Sequence, residues 1–168
     1  MINIESYTIK NKKSIITDID NIDKNLFVNI KDYKLLNTND LSYNYLEGSI
    51  LLTYNGQEYL GLKDWDLIEQ LWSYFITAIK DLKQEDKVTF RFPDCPFVIS
   101  IEKKNNSRLI VFFHDRRMNI DLIEFISNML NAAELFYENL KQLFIAHELE
   151  ISEQMKNIQS IKNIWSVK

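Results

Sequence analysis

Two short stretches of this chain hold the residue types from which a nucleophilic site is made. Asp94-Cys95 stands between two prolines, and His114-Asp115 stands just before Arg116-Arg117. A thiol, an imidazole and a carboxylate form a Cys–His–Asp nucleophile when the imidazole takes the thiol proton and a positive neighbour lowers the thiol pKa. The intervening residues decide whether the two stretches meet. Phe97 to Lys103 and Arg108 to Phe113 read as strands on either side of the polar loop Lys104–Ser107. A hairpin turning about Asn105 and Asn106 sets Phe97 opposite His114, and Cys95 then falls near His114 and Asp115 at one sheet edge. The chain has no Gly-rich oxyanion loop beside them. A plainer account makes Cys95 a small packed residue and pairs His114 with Asp94 or Asp115. It asks for fewer convergent groups, and on it Cys95 is not a catalytic nucleophile. Arg116 and Arg117, with Arg91 or Arg108, read either as an anion-binding edge or as an ordinary charged strand end.

Those stretches hang on a helix and three strands. From Asp66 to Lys83 the apolar residues Ile68, Leu71, Trp72, Phe75, Ala78, Ile79 and Leu82 recur at steps of three and four and share one face. Asp66 is the expected N-cap, with Glu69 answering it in a capping box. The period then falls to two over Lys87–Phe92. Before the helix, Ile2–Ile9, Leu26–Ile30, Ser49–Tyr54 and Gln57–Leu62 read as strands. The last two flank Asn55-Gly56, a hairpin turn whose central residues take positive φ. Asp121 opens a second helix with a heptad-like seam from Leu122 to His147. Its pattern runs on to about Ile164, roughly 60 Å of helix. A break is expected near 148–152, with Ser152 capping a last helix.

Composition narrows the function. Three glycines and two prolines in 168 residues argue against Gly-loop nucleotide binding and against linker-rich architectures. The net charge of −4, with no basic stripe, argues against nucleic acid. One cysteine excludes an intrachain disulfide. No apolar run approaches 18 residues and no signal segment leads the chain, so a cytoplasmic protein away from membranes is expected. Asp18, Asp20 and Asp23 imitate the start of a calcium loop. Asp23 stands where the turn glycine is needed and Asn29 where the bidentate Glu is needed. No metal and no cofactor is expected.

The expected fold is α+β, a single domain over 1–168. An antiparallel sheet of about six or seven strands is covered by the central helix and the long C-terminal helix. Residues 151–168 either append a helix or fold back to close the core. The leading function is a non-catalytic protein-binding module. Small size, acidity, few glycines and no catalytic signature are similar, at the level of class, to small bacterial immunity-type inhibitors, which implies a basic toxin domain as partner. Two rivals are an enzyme at the Cys95/His114 edge and an assembly protein that homodimerises through the C-terminal helix. Partner contacts are expected from the loop aromatics Tyr43, Tyr45 and Trp65, from the acidic Glu148 and Glu150, and from the stripe of Met155, Ile158 and Trp165. From residue 119 onward, four lysines stand against seven Asp and Glu, which favours a basic partner.

Overall fold

Among residues 1–10 and 22–168, which this computed structural model describes, nine strands form two antiparallel sheets. The first holds β1 (Ile2–Ile9), β2 (Phe27–Asn29), β3 (Glu47–Tyr54) and β4 (Gln57–Leu60) in the order β2-β1-β3-β4, with β5 (Asp66–Leu67) also paired to β3. Helix α1 (Ile68–Asp81) follows. The second sheet is a meander of β6 (Lys87–Arg91), β7 (Val98–Lys103), β8 (Arg108–Phe113) and β9 (Arg116–Asp121) in chain order. Helices α2 (Leu122–Leu143) and α3 (Glu148–Trp165) complete the chain.

The α+β class, the antiparallel pairing, the central helix and the long C-terminal helical region agree with the sequence reading. The strands, however, divide into sheets of five and four. The two extra strands signal weakly. β5 is only two residues long, and β9 carries just Met118 and Ile120 on its buried face. The hairpin between β8 and β9 turns at His114-Asp115, and His114 takes φ 55, a conformation that His tolerates better than most residues. Asn55 (φ 51) and Gly56 (φ 81) form the expected left-handed pair between β3 and β4.

Each helix start has a local cause. Asp121 caps α2, its Oδ1 accepting from Ile123 N at 2.9 Å and Glu124 N at 3.0 Å. Helix α1 begins without such a cap, because Asp66 is engaged elsewhere. Its apolar face is fully used. Trp72 is buried between Phe75 and Phe136, and its Nε1 donates to Ser6 Oγ of β1 at 3.0 Å. That bond satisfies the only polar atom of a large buried ring.

The α2 seam also turns inward. Leu122, Ile126, Met129, Ala133, Phe136, Leu140 and Leu143 are buried, and the helix packs on β1, on the 3-10 turn Ile30–Leu35, on α1 and on α3. It is therefore not a free face for a homodimer. The helical break falls earlier than 148–152. Phe144 leaves helical geometry (φ −121, ψ 67), a 3-10 turn spans Ile145–His147, and Ser152 lies inside α3 rather than capping it. Helix α3 then folds back. Ile151, Ile158, Ile161 and Trp165 are buried, and Trp165 Nε1 donates to Ile79 O at 3.1 Å. Lys162 pairs with Glu134 of α2 at 2.6 Å in a largely dry setting. Of the apolar stripe, Ile158, Ile161 and Trp165 lie in the core and Met155 is half-buried, as the fold-back alternative requires.

Two stability outcomes follow. Trp72→Ala should cost about 3–5 kcal/mol in denaturant unfolding, as removal of a buried aromatic does; a loss below about 1 kcal/mol would place Trp72 outside the core. Deleting residues 151–168 should abolish the cooperative unfolding transition, since it bares α2 and strands Glu134. A truncated chain with an unchanged midpoint would show α3 to be an appendage.

Candidate functional site

Asp66 organises the region where the Cys95 candidate lies. It is 3% exposed. Its Oδ1 accepts from Leu67 N at 2.7 Å and Asp94 N at 3.1 Å, and its Oδ2 from Asp94 N at 3.2 Å and Cys95 N at 3.2 Å. The amides of the Pro93–Pro96 turn have no strand partner, so a buried carboxylate is their acceptor. This replaces the expected capping box. Leu67 is the N-cap of α1, and Glu69 instead accepts from Tyr137 Oη at 3.2 Å. The turn itself closes through Phe92 N to Phe97 O at 2.9 Å.

The second half of the expected Cys–His–Asp arrangement sits one residue out of register. Ile99 faces Phe113 and Lys103 faces Leu109, so Val98 rather than Phe97 lies opposite His114. The cause is the loop. Asn105 Oδ1 accepts from Ser107 N at 2.9 Å and from Ser107 Oγ at 3.0 Å, which leaves an odd number of residues between Lys103 and Leu109. His114 lies with its ring 5.4 Å from that of Phe97 and is exposed. Asp115 is exposed too, 3.6 Å from Arg116 Nε. No hydrogen bond joins Cys95 to His114 or Asp115 among the described residues. Burial pushes the Cys95 thiol up, a Phe97 backbone contact opposes this in part, and the carboxylates of Asp66 and Asp64 push it further up. A cysteine nucleophile needs the opposite shift.

The arginines have other tasks. Arg116 donates to Tyr59 O of β4 at 2.8 Å and pairs with Asp64 at 3.4 Å, fastening β9 to the edge of the first sheet. Arg117 lies over Phe112, and Arg108 binds Asn119. Arg116, Arg117 and Arg108 thus make three separate attachments.

Between β5, the Pro93–Pro96 turn and the loop before β5 lies a cavity of about 330 Å³. Trp65, Leu67 and Phe97 supply apolar walls, and Glu47, Asp64, Asp66 and Asp94 bring carboxylates to it. Burial raises the Glu47 pKa first, and Asp94 and Asp66 raise it further.

A second surface joins residues distant in sequence. Tyr43 stacks on His147 with ring centroids 4.2 Å apart and meets Phe144 edge-on at 5.7 Å. Burial, then the carboxylates of Glu69 and Glu150, push the Tyr43 phenol up to about 12, so it stays neutral. Within two residues of this stack along the chain, three large apolar side chains stand in solvent: Tyr45 at 70% exposure, Ile145 at 75% and Leu149 at 81%. Glu148, Glu150 and Glu153 are exposed beside them, and Glu150 and Glu153 line a groove of about 440 Å³ under Tyr43. Of the expected contact residues, Tyr43 and Glu150 line one groove, Tyr45 is exposed at the end of the same 3-10 turn as Tyr43, and Glu148 pairs with Lys141 at 2.8 Å. Trp65 lies apart, in the acidic cavity. Met155 is half-buried, and Ile158 and Trp165 are core residues, unavailable to a partner. The sequence reading missed Ile145, Leu149 and the role of His147. The usable signal was two apolar residues that fall off the buried stripe of their helices.

Among the described residues no group of three or more His, Cys, Asp or Glu side chains is placed to hold a metal, and no helix is long and apolar enough to cross a membrane. Asp18 and Asp20 of the calcium-like run lie outside the described residues. Asp23 caps a short turn through Asn25 N at 2.9 Å. No protein-family model matches the chain, and comparison with curated proteins and with solved structures finds no match.

The buried groups give two measurable outcomes. Iodoacetamide should label Cys95 at pH 8 more slowly than free cysteine; faster labelling would show an activated thiol. Burial raises the Glu69 pKa above its ordinary 4.5, with the Tyr137 hydroxyl opposing. A carboxyl raised in this way holds its proton more tightly when folded, so its contribution to stability falls as pH rises from 4.5 through the folded value. Glu69→Gln should therefore be more stable than the wild type at pH 7, with the gap narrowing as pH approaches 4.5. A gap that widens on acidification would reverse the sign.

Proposed function

We propose that this chain is a non-catalytic protein-binding module that docks on a basic protein through the corner formed by the Tyr43–Tyr45 turn and the start of α3. The observation that carries this reading is the Tyr43–His147 stack, which sets the Tyr43–Tyr45 turn against the start of α3, where Tyr45, Ile145 and Leu149 are exposed within two residues of the stack and Glu150 and Glu153 line the adjoining groove. Scattered apolar residues on a surface mean little, whereas a cluster with a charged rim has the make-up of an interface. The stack fixes the anchors before contact, which lowers the ordering cost of binding. The carboxylates select a positive surface and speed encounter. A small inhibitor of the immunity type, covering a basic toxin domain one-to-one, is the form of this function that best fits a compact acidic chain. An enzyme at Cys95 has less behind it, because the thiol is shifted away from reactivity and His114 rests on Phe97.

The test is co-purification from the native host, followed by affinity measurement with the isolated partner. Tyr45→Ala and Leu149→Ser should each weaken binding at least tenfold and leave the unfolding midpoint unchanged, while Lys104→Ser, on the far hairpin, should bind as wild type. Added salt should slow association. A partner that is acidic, or that tolerates both corner variants, would refute the reading.

A further inference from the structure

The acidic cavity beside β5 is a second surface with its own chemistry, and its charges are not alike. Asp66 is saturated by three backbone amides, and Asp64 is paired with Arg116. Glu47 and Asp94 have no cationic partner among the described residues. The one cation that lines the cavity, Lys63, is exposed and makes no ion pair there among the described residues. The cavity thus pairs unbalanced negative charge with walls of Trp65, Leu67 and Phe97. Its volume of about 330 Å³ is at the small end of ligand sites and leaves room for one large side chain. No group of three or more His, Cys, Asp or Glu side chains converges there on a metal among the described residues, and apolar walls favour a cation whose charge is spread over a flat, weakly hydrated group. A guanidinium is such a cation. It stacks on aromatic faces and binds carboxylates through two parallel N–H donors, where an ammonium offers only a point charge.

We infer that this cavity is a socket for an arginine side chain of the partner protein, with Trp65 as the stacking wall and Glu47 and Asp94 as the carboxylates that orient the guanidinium. The inference rests on the reading that the partner is a basic protein, and it names the side chain that the partner presents. Glu47 and Asp94 repel each other in the free protein, and an entering guanidinium relieves that repulsion.

The test uses the full chain and N-acetyl-arginine amide as probe, followed by NMR at the indole N–H of Trp65. Trp72 and Trp165 are buried and serve as internal controls. Saturable shifts are expected at Trp65 and at the amides of Glu47 and Asp94. N-acetyl-citrulline amide, the same shape without charge, should bind at least fivefold more weakly. Asp94→Asn, at an exposed position, should weaken the arginine probe at least threefold, and the Glu47→Gln/Asp94→Asn pair should weaken it at least tenfold. Equal binding of citrulline, shifts scattered over α3, or indifference to Asp94→Asn would overturn the socket. The corner variants Tyr45→Ala and Leu149→Ser should leave probe binding unchanged. Probe binding that persists while partner binding ignores the corner would therefore sink the docking surface and keep the socket. Partner binding that needs the corner while the probe fails would do the reverse.

Discussion

The carboxylate of Asp66 ties the two halves of the molecule together. It belongs to a two-residue strand of the first sheet and accepts amides from the turn that joins β6 to β7 in the second sheet. A buried carboxylate left without donors costs several kcal/mol, and buried amides without acceptors cost free energy too, so the two needs hold each other in place. Asp66 thereby sets where α1 can begin, how the Pro93–Pro96 turn sits, and which way Cys95 faces. Arg116 makes a second attachment nearby, between β9 and the β4 edge with its Asp64 loop. Two polar clamps at one end let sheets with separate hydrogen-bond networks share a core.

The other end is held by apolar burial. Trp72, Phe75 and Phe136 fill the space under α1 and α2, and α3 lies across both through Ile151, Ile158, Ile161 and Trp165. Close packing of this kind leaves little freedom to the corner where α2 turns into α3. Phe144 is buried there, and Tyr43 and His147 stack on its flank. Packing beneath that corner orders the backbone that carries the exposed Tyr45, Ile145 and Leu149, and on the proposed reading it lowers the ordering cost of a contact there.

Much of the fold was legible because period and caps were strong. The α1 face, the Asn55-Gly56 turn, the Asp121 cap and the boundaries of β8 follow from local signals that tertiary packing did not contradict. What was illegible depended on distant partners. Asp66 carries the same signal whether it caps its own helix or a turn 28 residues away, and only the unmet amides of that turn decide the matter. The hairpin register moved by one residue because an asparagine side chain shaped the loop. The α3 stripe looked uncovered because a sequence shows the apolar face of a helix but not the helix that receives it. Of the expected contact residues, Tyr43 and Glu150 line one groove, whereas Ile158 and Trp165 went to the core. Burial and interface draw on the same residue types, so type alone could not separate them.

The distribution of charge supports a division of labour. Carboxylates that serve the fold are matched: Asp66 with amides, Asp64 with Arg116, Glu134 with Lys162. Glu47 and Asp94 at the cavity have no such partner among the described residues, and on the first turns of α3 Glu148 pairs with Lys141 at 2.8 Å while Glu150 and Glu153 stand exposed. Glu47 is held above its ordinary pKa by burial and by its neighbours, so folding gains nothing from its charge there. Negative charge concentrated in a concave, partly apolar site focuses the field toward approaching cations more than the same charge spread on a convex face. The cavity and the corner belong to connected stretches of chain, since the Tyr43–Tyr45 turn runs directly into Glu47 and β3. A basic partner that set apolar groups on the corner and an arginine in the cavity would use both at once, and two modest contacts fixed on one rigid frame bind far more tightly than either alone.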